Sequence, residues 1–211
     1  MNITDKIQLY NCDNMELMAK YPDNYFDLAI VDPPYGIKRD GSLKTTSKHG
    51  GRKAHKFKGW DNKTPNELYF NELFRVSQNQ IVWGANYFTK YLPKSMGWLF
   101  WDKGQRICNS DGELAFTSFD IALRVVEYNR VELLKEGTIH PTQKPIILYK
   151  WLLDKYAKPN DKILDTHLGS MSIAIACHDY GFDLVGCELD REYYAKGIER
   201  VKNHVAQQKL F

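Results

Sequence analysis

The chain has only four cysteines in 211 residues, Cys12, Cys108, Cys177 and Cys187, and no two of them form a Cys-x-x-Cys pair. That scarcity excludes a zinc ribbon and a disulfide framework, and it fits a reducing compartment. His49, His55, His167 and His178 fall at no metal-ligand spacing, so no metal is expected. No apolar run approaches the ~20 residues of a membrane span, and no basic-then-apolar leader opens the chain. A cytoplasmic protein without membrane contact is therefore expected. Internal repeats and low-complexity tracts are absent too. Net charge is small, +3, while 43% of residues are hydrophobic and 26% charged, enough for a single domain over residues 1–211 with a sizeable core.

The small net charge hides an uneven distribution. Residues 37–60 carry Lys38, Arg39, Lys44, Lys48, Arg52, Lys53, Lys56 and Lys58 against Asp40 alone, which leaves the rest of the chain net acidic. Glycine, serine and threonine fill the gaps, with no helical or strand period. A loop of this length in a compact domain is commonly functional. Its focused positive charge suits a flexible flap for nucleic-acid phosphates. Trp60, at its end, is a candidate contact.

Ahead of the flap stands Leu28-Ala29-Ile30-Val31-Asp32-Pro33-Pro34-Tyr35. Four apolar residues without polar alternation predict a strand buried on both faces of a parallel sheet. The two prolines cannot donate to a ladder, so the strand ends at Asp32. Asp32, the proline carbonyls and the Tyr35 ring are then held rigidly at a strand's carboxyl end, where open α/β sheets bind ligands.

Around this corner the pattern alternates strand and helix. Strands are expected at 6–10, 80–83, 97–101, 119–127, 162–164 and 184–187, and helices at 13–20, 66–76, 140–156, 173–180 and from about 190 to 207. In the helix at 66–76 the apolar stripe reads Leu68, Phe70, Leu73 and Phe74. Residues 103–118 read as a small polar loop insertion. The fold class is α/β: a doubly wound, mostly parallel sheet with helices on both faces.

The last third carries a second signal. A strand ends in Asp165, a turn holds Gly169-Ser170, and a second strand ends in Glu188 about 20 residues after the turn, the separation of a ribose-binding acid in nucleoside sites. The segment His140-Pro141-Thr142-Gln143-Lys144-Pro145 opens a helix whose N-terminus, with Lys144, suits a carboxylate or phosphate.

Asp32-Pro33-Pro34-Tyr35, then His140 to Pro145, then Ile163-Leu164-Asp165-Thr166-His167-Leu168-Gly169-Ser170, in that order, resemble the amino-group DNA methyltransferases. More narrowly, they are similar to the permuted β group, in which the catalytic tetrapeptide precedes the cofactor motif, and to its compact phage-like members. The resemblance implies S-adenosylmethionine as cofactor, double-stranded DNA as partner, and a monomer or homodimer. It implies transfer to the N6 amine of a flipped adenine, with Asp32, Pro33, Pro34 and Tyr35 catalytic. Asp165, Gly169, Ser170, Thr142 and Lys144 would surround the cofactor's methionine part, Glu188 its ribose and Asp13 its adenine. An initial Asp in the tetrapeptide favours adenine. Cytosine N4 transfer, RNA as substrate and a silent DNA-binding relative stay open. The chain departs from the family pattern at His167 (commonly Phe), Met171 (commonly Gly) and Cys12 (often Gly).

Overall fold

The computed structural model describes residues 1–43, 54–105, 110–129 and 137–207. Eight strands form one sheet in the order β1-β8-β7-β2-β3-β5-β4-β6. They are β1 (Ile7–Tyr10), β2 (Phe26–Val31), β3 (Ser77–Trp83), β4 (Trp98–Asp102), β5 (Gly112–Thr117), β6 (Arg124–Glu127), β7 (Lys162–Asp165) and β8 (Asp183–Cys187). Every pairing is parallel except those of β5 with β3 and β4.

β2 lies between β7 and β3, and its last four residues are buried, as an apolar run in a central parallel strand requires. From β2 the chain winds outward through β3, and from β7 it winds the other way to β8. Winding reverses between β2 and β7, so the sheet opens beyond the ends of these two strands, beside Asp32 and Asp165.

Among the described residues five α-helices cover the two faces: α1 (Asn14–Met18), α2 (Glu67–Val76), α3 (Ile146–Tyr156), α4 (Ser172–Tyr180) and α5 (Arg191–Ala206). One apolar cluster packs α3, α4 and α5 on the sheet, and the other packs α1 and α2 on its opposite side. Asp13, Asn66 and Asp190 cap α1, α2 and α5 by accepting from first-turn amides.

Three expectations are corrected. Residues 112–117, read as part of a loop insertion, are β5, paired on both edges with β3 and β4. The strand at 119–127 shortens to β6. The buried face of α2 is Tyr69, Phe70, Leu73 and Val76, while Leu68 is exposed.

Candidate active site

The backbone after β2 is fixed from two sides. The prolines set their own φ, and Gly36 turns the chain at φ +73°. From the short turn Trp60–Asn62, the buried Asp61 carboxylate accepts from the amides of Tyr35 (2.8 Å), Gly36 (2.8 Å) and Arg39 (2.7 Å). Asp61 thus clamps the corner, a role the sequence did not reveal because its partners lie some 25 residues away without periodicity.

The basic segment is also tied down at its described ends. Ser42 and His55 exchange both backbone hydrogen bonds, and Asp40 accepts from the amides of Lys58 and Gly59. Lys38, Arg39 and Lys56 are exposed, and Arg39 borders the cavity described below. Lys58 is a correction to the set of phosphate-binding cations. Its Nζ donates to Asp190 (2.8 Å), pairs with Glu192 (2.9 Å) and lies over the Tyr193 ring, so its charge is spent within the chain. Lys44, Lys48, Arg52 and Lys53 fall outside the described residues. Trp60 stacks on His140 at 5.2 Å between ring centroids.

The Tyr35 ring lies over the backbone at Gly84, where a Cβ would stand 2.1 Å from the ring. Gly84 also has φ +68°, a second demand for glycine. Tyr87 stacks on Tyr35 at 5.2 Å, and the Tyr35 hydroxyl donates to Asp32 Oδ1 at 2.6 Å. Gly84→Ala should therefore displace the ring and lower the methyl transfer that the sequence resemblance implies at least tenfold, of order 1.4 kcal/mol in barrier. Steady-state rates beside a melting curve check it: wild-type turnover would show that the ring's position is immaterial.

The other Asp32 oxygen, Oδ2, faces Lys144 Nζ at 2.5 Å. Lys144 also pairs with Glu113 Oε2 at 3.0 Å, and Glu113 Oε1 pairs with Lys103 at 2.7 Å. Burial works against the Lys144 charge, but the Asp32 and Glu113 carboxylates outweigh it and raise its pKa. Burial alone would raise Glu113, but Lys144 and Lys103 hold it down at about 2. Asp32 moves upward, through burial and the nearby Glu113, with Lys144 opposing. The corner thus joins Asp32 and Tyr35 to an alternating chain of two acids and two lysines. Glu113, on the strand read as a loop, was missed, and Lys144 sits on Asp32 rather than free at a helix start.

Asp32, Tyr35, Lys103, Glu113 and Lys144 border one cavity of about 630 Å³, whose walls include Trp101 and Tyr87. That is room for a planar heterocycle with its surroundings.

Beyond the β7 and β8 ends, Glu188 accepts from the Gly169 amide and from the Asp190 amide, both at 2.8 Å, one on each oxygen. Asp165 is almost wholly buried and accepts from the His167 amide, and burial raises its pKa to about 8. Asp32 and Glu188 both push the Asp165 pKa further up. Ser170 is buried against the Ser172 hydroxyl (3.1 Å), and Thr142 Oγ1 meets His140 Nδ1 (3.2 Å). The Asp13 carboxylate caps α1 through Met15 N (2.8 Å).

The departures at His167 and Met171 both turn inward. His167 holds a hydrogen bond from Asn14 at Nε2 (3.0 Å) and one with Thr166 at Nδ1 (2.9 Å), and it packs edge-on to Tyr69. Burial lowers its pKa to about 3, so the ring is neutral and serves as a packed aromatic. Met171 takes the left-handed conformation (φ 60°) a glycine would, and its fully buried side chain fills the space a Cβ on Gly197 of α5 would occupy. The bulk goes into the core, which leaves the Gly169 turn to approach a ligand.

A group with a cationic sulfonium, an amino-acid part and a ribose fits this lining. A buried acid, Asp165, stands at the end of β7 and a half-buried one, Glu188, at the end of β8, and Glu188 keeps lone pairs for two hydroxyls beyond its two amide donors.

Comparison with known proteins gives a consistent picture. Residues 82–199, more than half of the chain, match the family model for DNA methylase. The type II methyltransferase M.BglII of Bacillus subtilis is 22% identical over 249 residues, covering 88% of this chain and 66% of that enzyme. The DNA adenine methyltransferase YhdJ of Escherichia coli (strain K12) is 33% identical over 89 residues, covering 41% of this chain and 30% of YhdJ. Among solved structures, the M1.HpyAVI–SAM complex superposes with a TM-score of 0.60 at 16% identity, covering 92% of this chain and 98% of that one. The cytosine-N4-specific PvuII DNA methyltransferase gives 0.59 at 12% identity, covering 93% and 91%. The two structures share the fold, and the printed names include an adenine enzyme, YhdJ, and a cytosine-N4 enzyme, PvuII.

Proposed function

The chain belongs to the DNA methylase family, whose methyl donor is S-adenosylmethionine, and from that premise we propose that it methylates the exocyclic N6 amine of adenine in double-stranded DNA. The observation that carries the reading is Asp32, held by Tyr35 and Lys144 at the end of β2 and facing the cavity.

The bound cofactor supplies an electrophilic methyl group. The chain's own residues must solve the remaining difficulty, which is that an aromatic amine is a poor nucleophile. Its lone pair is delocalised into the ring. Asp32 and the Pro33 carbonyl accept its two hydrogens and favour a pyramidal nitrogen, turning the lone pair out of the ring plane. Such a base must leave the duplex to enter the cavity, where the Tyr35–Tyr87 pair offers an aromatic wall. On the other side of the sheet opening, Glu188 would hold the ribose and Asp165, with Gly169 and Ser170, the methionine part. Thr142 joins them from the segment before α3, and Asp13 would lie near the adenine moiety. Lys144 acts on Asp32 instead. Adenine is favoured over cytosine by the acid at Asp32 and by the adenine activity named for YhdJ.

The deciding experiment is transfer of a labelled methyl group from S-adenosylmethionine to unmethylated duplex DNA, with the product nucleoside identified by mass spectrometry. N6-methyladenine supports the full reading. N4-methylcytosine keeps the enzyme and changes the base, transfer to RNA alone changes the partner, and no transfer with no cofactor binding points to a silent relative.

The basic segment supplies a second test. Replacing Arg52 and Lys53 together with alanine should weaken duplex binding and reduce the slope of log affinity against log salt by about 1.8, from ~0.9 per phosphate contact. Fluorescence anisotropy from low to moderate salt reads it. An unchanged slope would take these two cations out of the interface.

A further inference from the structure

Asp32 is the only acid of the Asp-Pro-Pro-Tyr motif, yet Asp61, Asp111 and Glu113 also border the cavity. Glu113 comes from β5, the antiparallel strand wedged between β3 and β4, and it pairs with the same Lys144 Nζ that Asp32 does. The Lys144 side chain is 3% exposed and has two carboxylates, while Lys103 holds the outer oxygen of Glu113. The Tyr35 hydroxyl lies 3.4 Å from Glu113 Oε2 as well as on Asp32. We propose that Glu113 is a positioning residue for methyl transfer: by sharing the Lys144 ammonium it leaves Asp32 able to take up the amine's hydrogens. The proposal rests on the reading that Asp32 holds the target amine.

The chemistry asks for such a partner. A nitrogen that gains a methyl must shed one proton, and Asp32 is the acceptor that touches it. An ammonium bound to Asp32 alone would compete for the same oxygen and weaken it as a base. It would also place an uncompensated positive charge beside a nitrogen that is itself becoming positive. Glu113 cancels that charge at 3.0 Å without entering the motif.

Tyr35 in the corner also acts on Asp32, and Asp32 in turn raises Tyr69 on α2, Tyr149 on α3 and Asp165 at the end of β7. The tyrosines stay neutral, their pKa values raised by burial. Asp165 is a further acid, and it is present in wild type and variant alike. Glu113 and Lys144 are therefore the pair whose change isolates the effect.

Glu113→Gln keeps the shape and removes the charge. In single-turnover transfer at saturating cofactor and DNA, the rate at neutral pH should fall about ten- to a hundredfold, with both KM values within about twofold. The acid limb of the pH–rate profile should move to lower pH, because Asp32 no longer feels a second carboxylate. Glu113→Asp, which retains the charge, should keep the limb near its wild-type position, and it carries the test if the Gln variant fails to fold. A limb that does not move in Glu113→Gln, or a rate loss that follows lost cofactor affinity, overturns the proposal. Asp32→Ala separates the two levels. Transfer surviving in Asp32→Ala would remove the reading beneath the proposal. A dead Asp32→Ala beside an unmoved limb in Glu113→Gln would remove only Glu113.

Discussion

Asp32→Ala should abolish methyl transfer, with a loss of at least about a thousandfold, while S-adenosylmethionine binds within about threefold of wild type. The two halves of the expectation have separate physical origins. Transfer needs an acceptor for the amine's hydrogens, and Asp32 is the side-chain carboxylate of the corner that Tyr35 and Lys144 orient. Cofactor affinity is assigned to Glu188, Gly169 and Asp165, and none of these hydrogen bonds to Asp32 among the described contacts. The fold should tolerate the change, because Lys144 keeps Glu113 as a partner. Calorimetric binding beside a filter assay for transfer reads both quantities on one preparation. Equal losses in both would mean that Asp32 shapes the cofactor site, and the assigned roles would fall.

What could be read in the sequence follows from the range of the forces involved. The run Leu28 to Val31 is apolar because both of its faces are covered, and the prolines after it stop any ladder; both facts are local and both are legible. The same holds for the strand–turn–helix around Gly169. β5 was hidden because Gly112 and Glu113 look like loop residues, with only Leu114 to Phe116 carrying an apolar signal. Its pairing with β3 and β4 comes from distant parts of the chain. Glu113 was lost with it. A charged residue at a strand's start reads as solvated surface unless its cation, here Lys144, 31 positions later, is already placed. Lys58 failed for the converse reason. Composition alone put it in a basic patch, while Asp190 and Glu192, more than 130 residues on, neutralise it. Met171 shows a third kind of limit: only the opposing Gly197 reveals where a bulky residue in a glycine conformation sends its side chain.

Lys144→Met should destabilise the protein by about 3–5 kcal/mol at pH 7, the usual cost of taking one partner from a buried ion pair. Methionine nearly fills the lysine's volume, so the loss is electrostatic rather than a cavity effect. Asp32, its side chain 16% exposed, would then lack a cation, and Glu113 would keep only Lys103. The sign of the pH dependence distinguishes this mechanism from simple loss of packing. In wild type the folded pKa of Glu113, about 2, lies below its unfolded value of about 4.3. Its stabilisation is therefore present above pH 4.3 and disappears as pH falls toward 2. In the variant, burial and Glu113 raise Asp32 with no ammonium to oppose them. A raised carboxyl disfavours folding at neutral pH, and that penalty fades as pH falls through the raised value and the group takes up its proton. Asp165, raised to about 8 by burial with Lys144 among the groups opposing, rises further in the variant, which adds to the gap toward pH 8 in the same direction. The gap in stability between wild type and Lys144→Met should therefore narrow steadily from pH 8 to pH 5, as urea unfolding at several pH values would read. A gap below about 1 kcal/mol at pH 7, or one constant across that range, would mean that the cluster is solvated as an ordinary surface network.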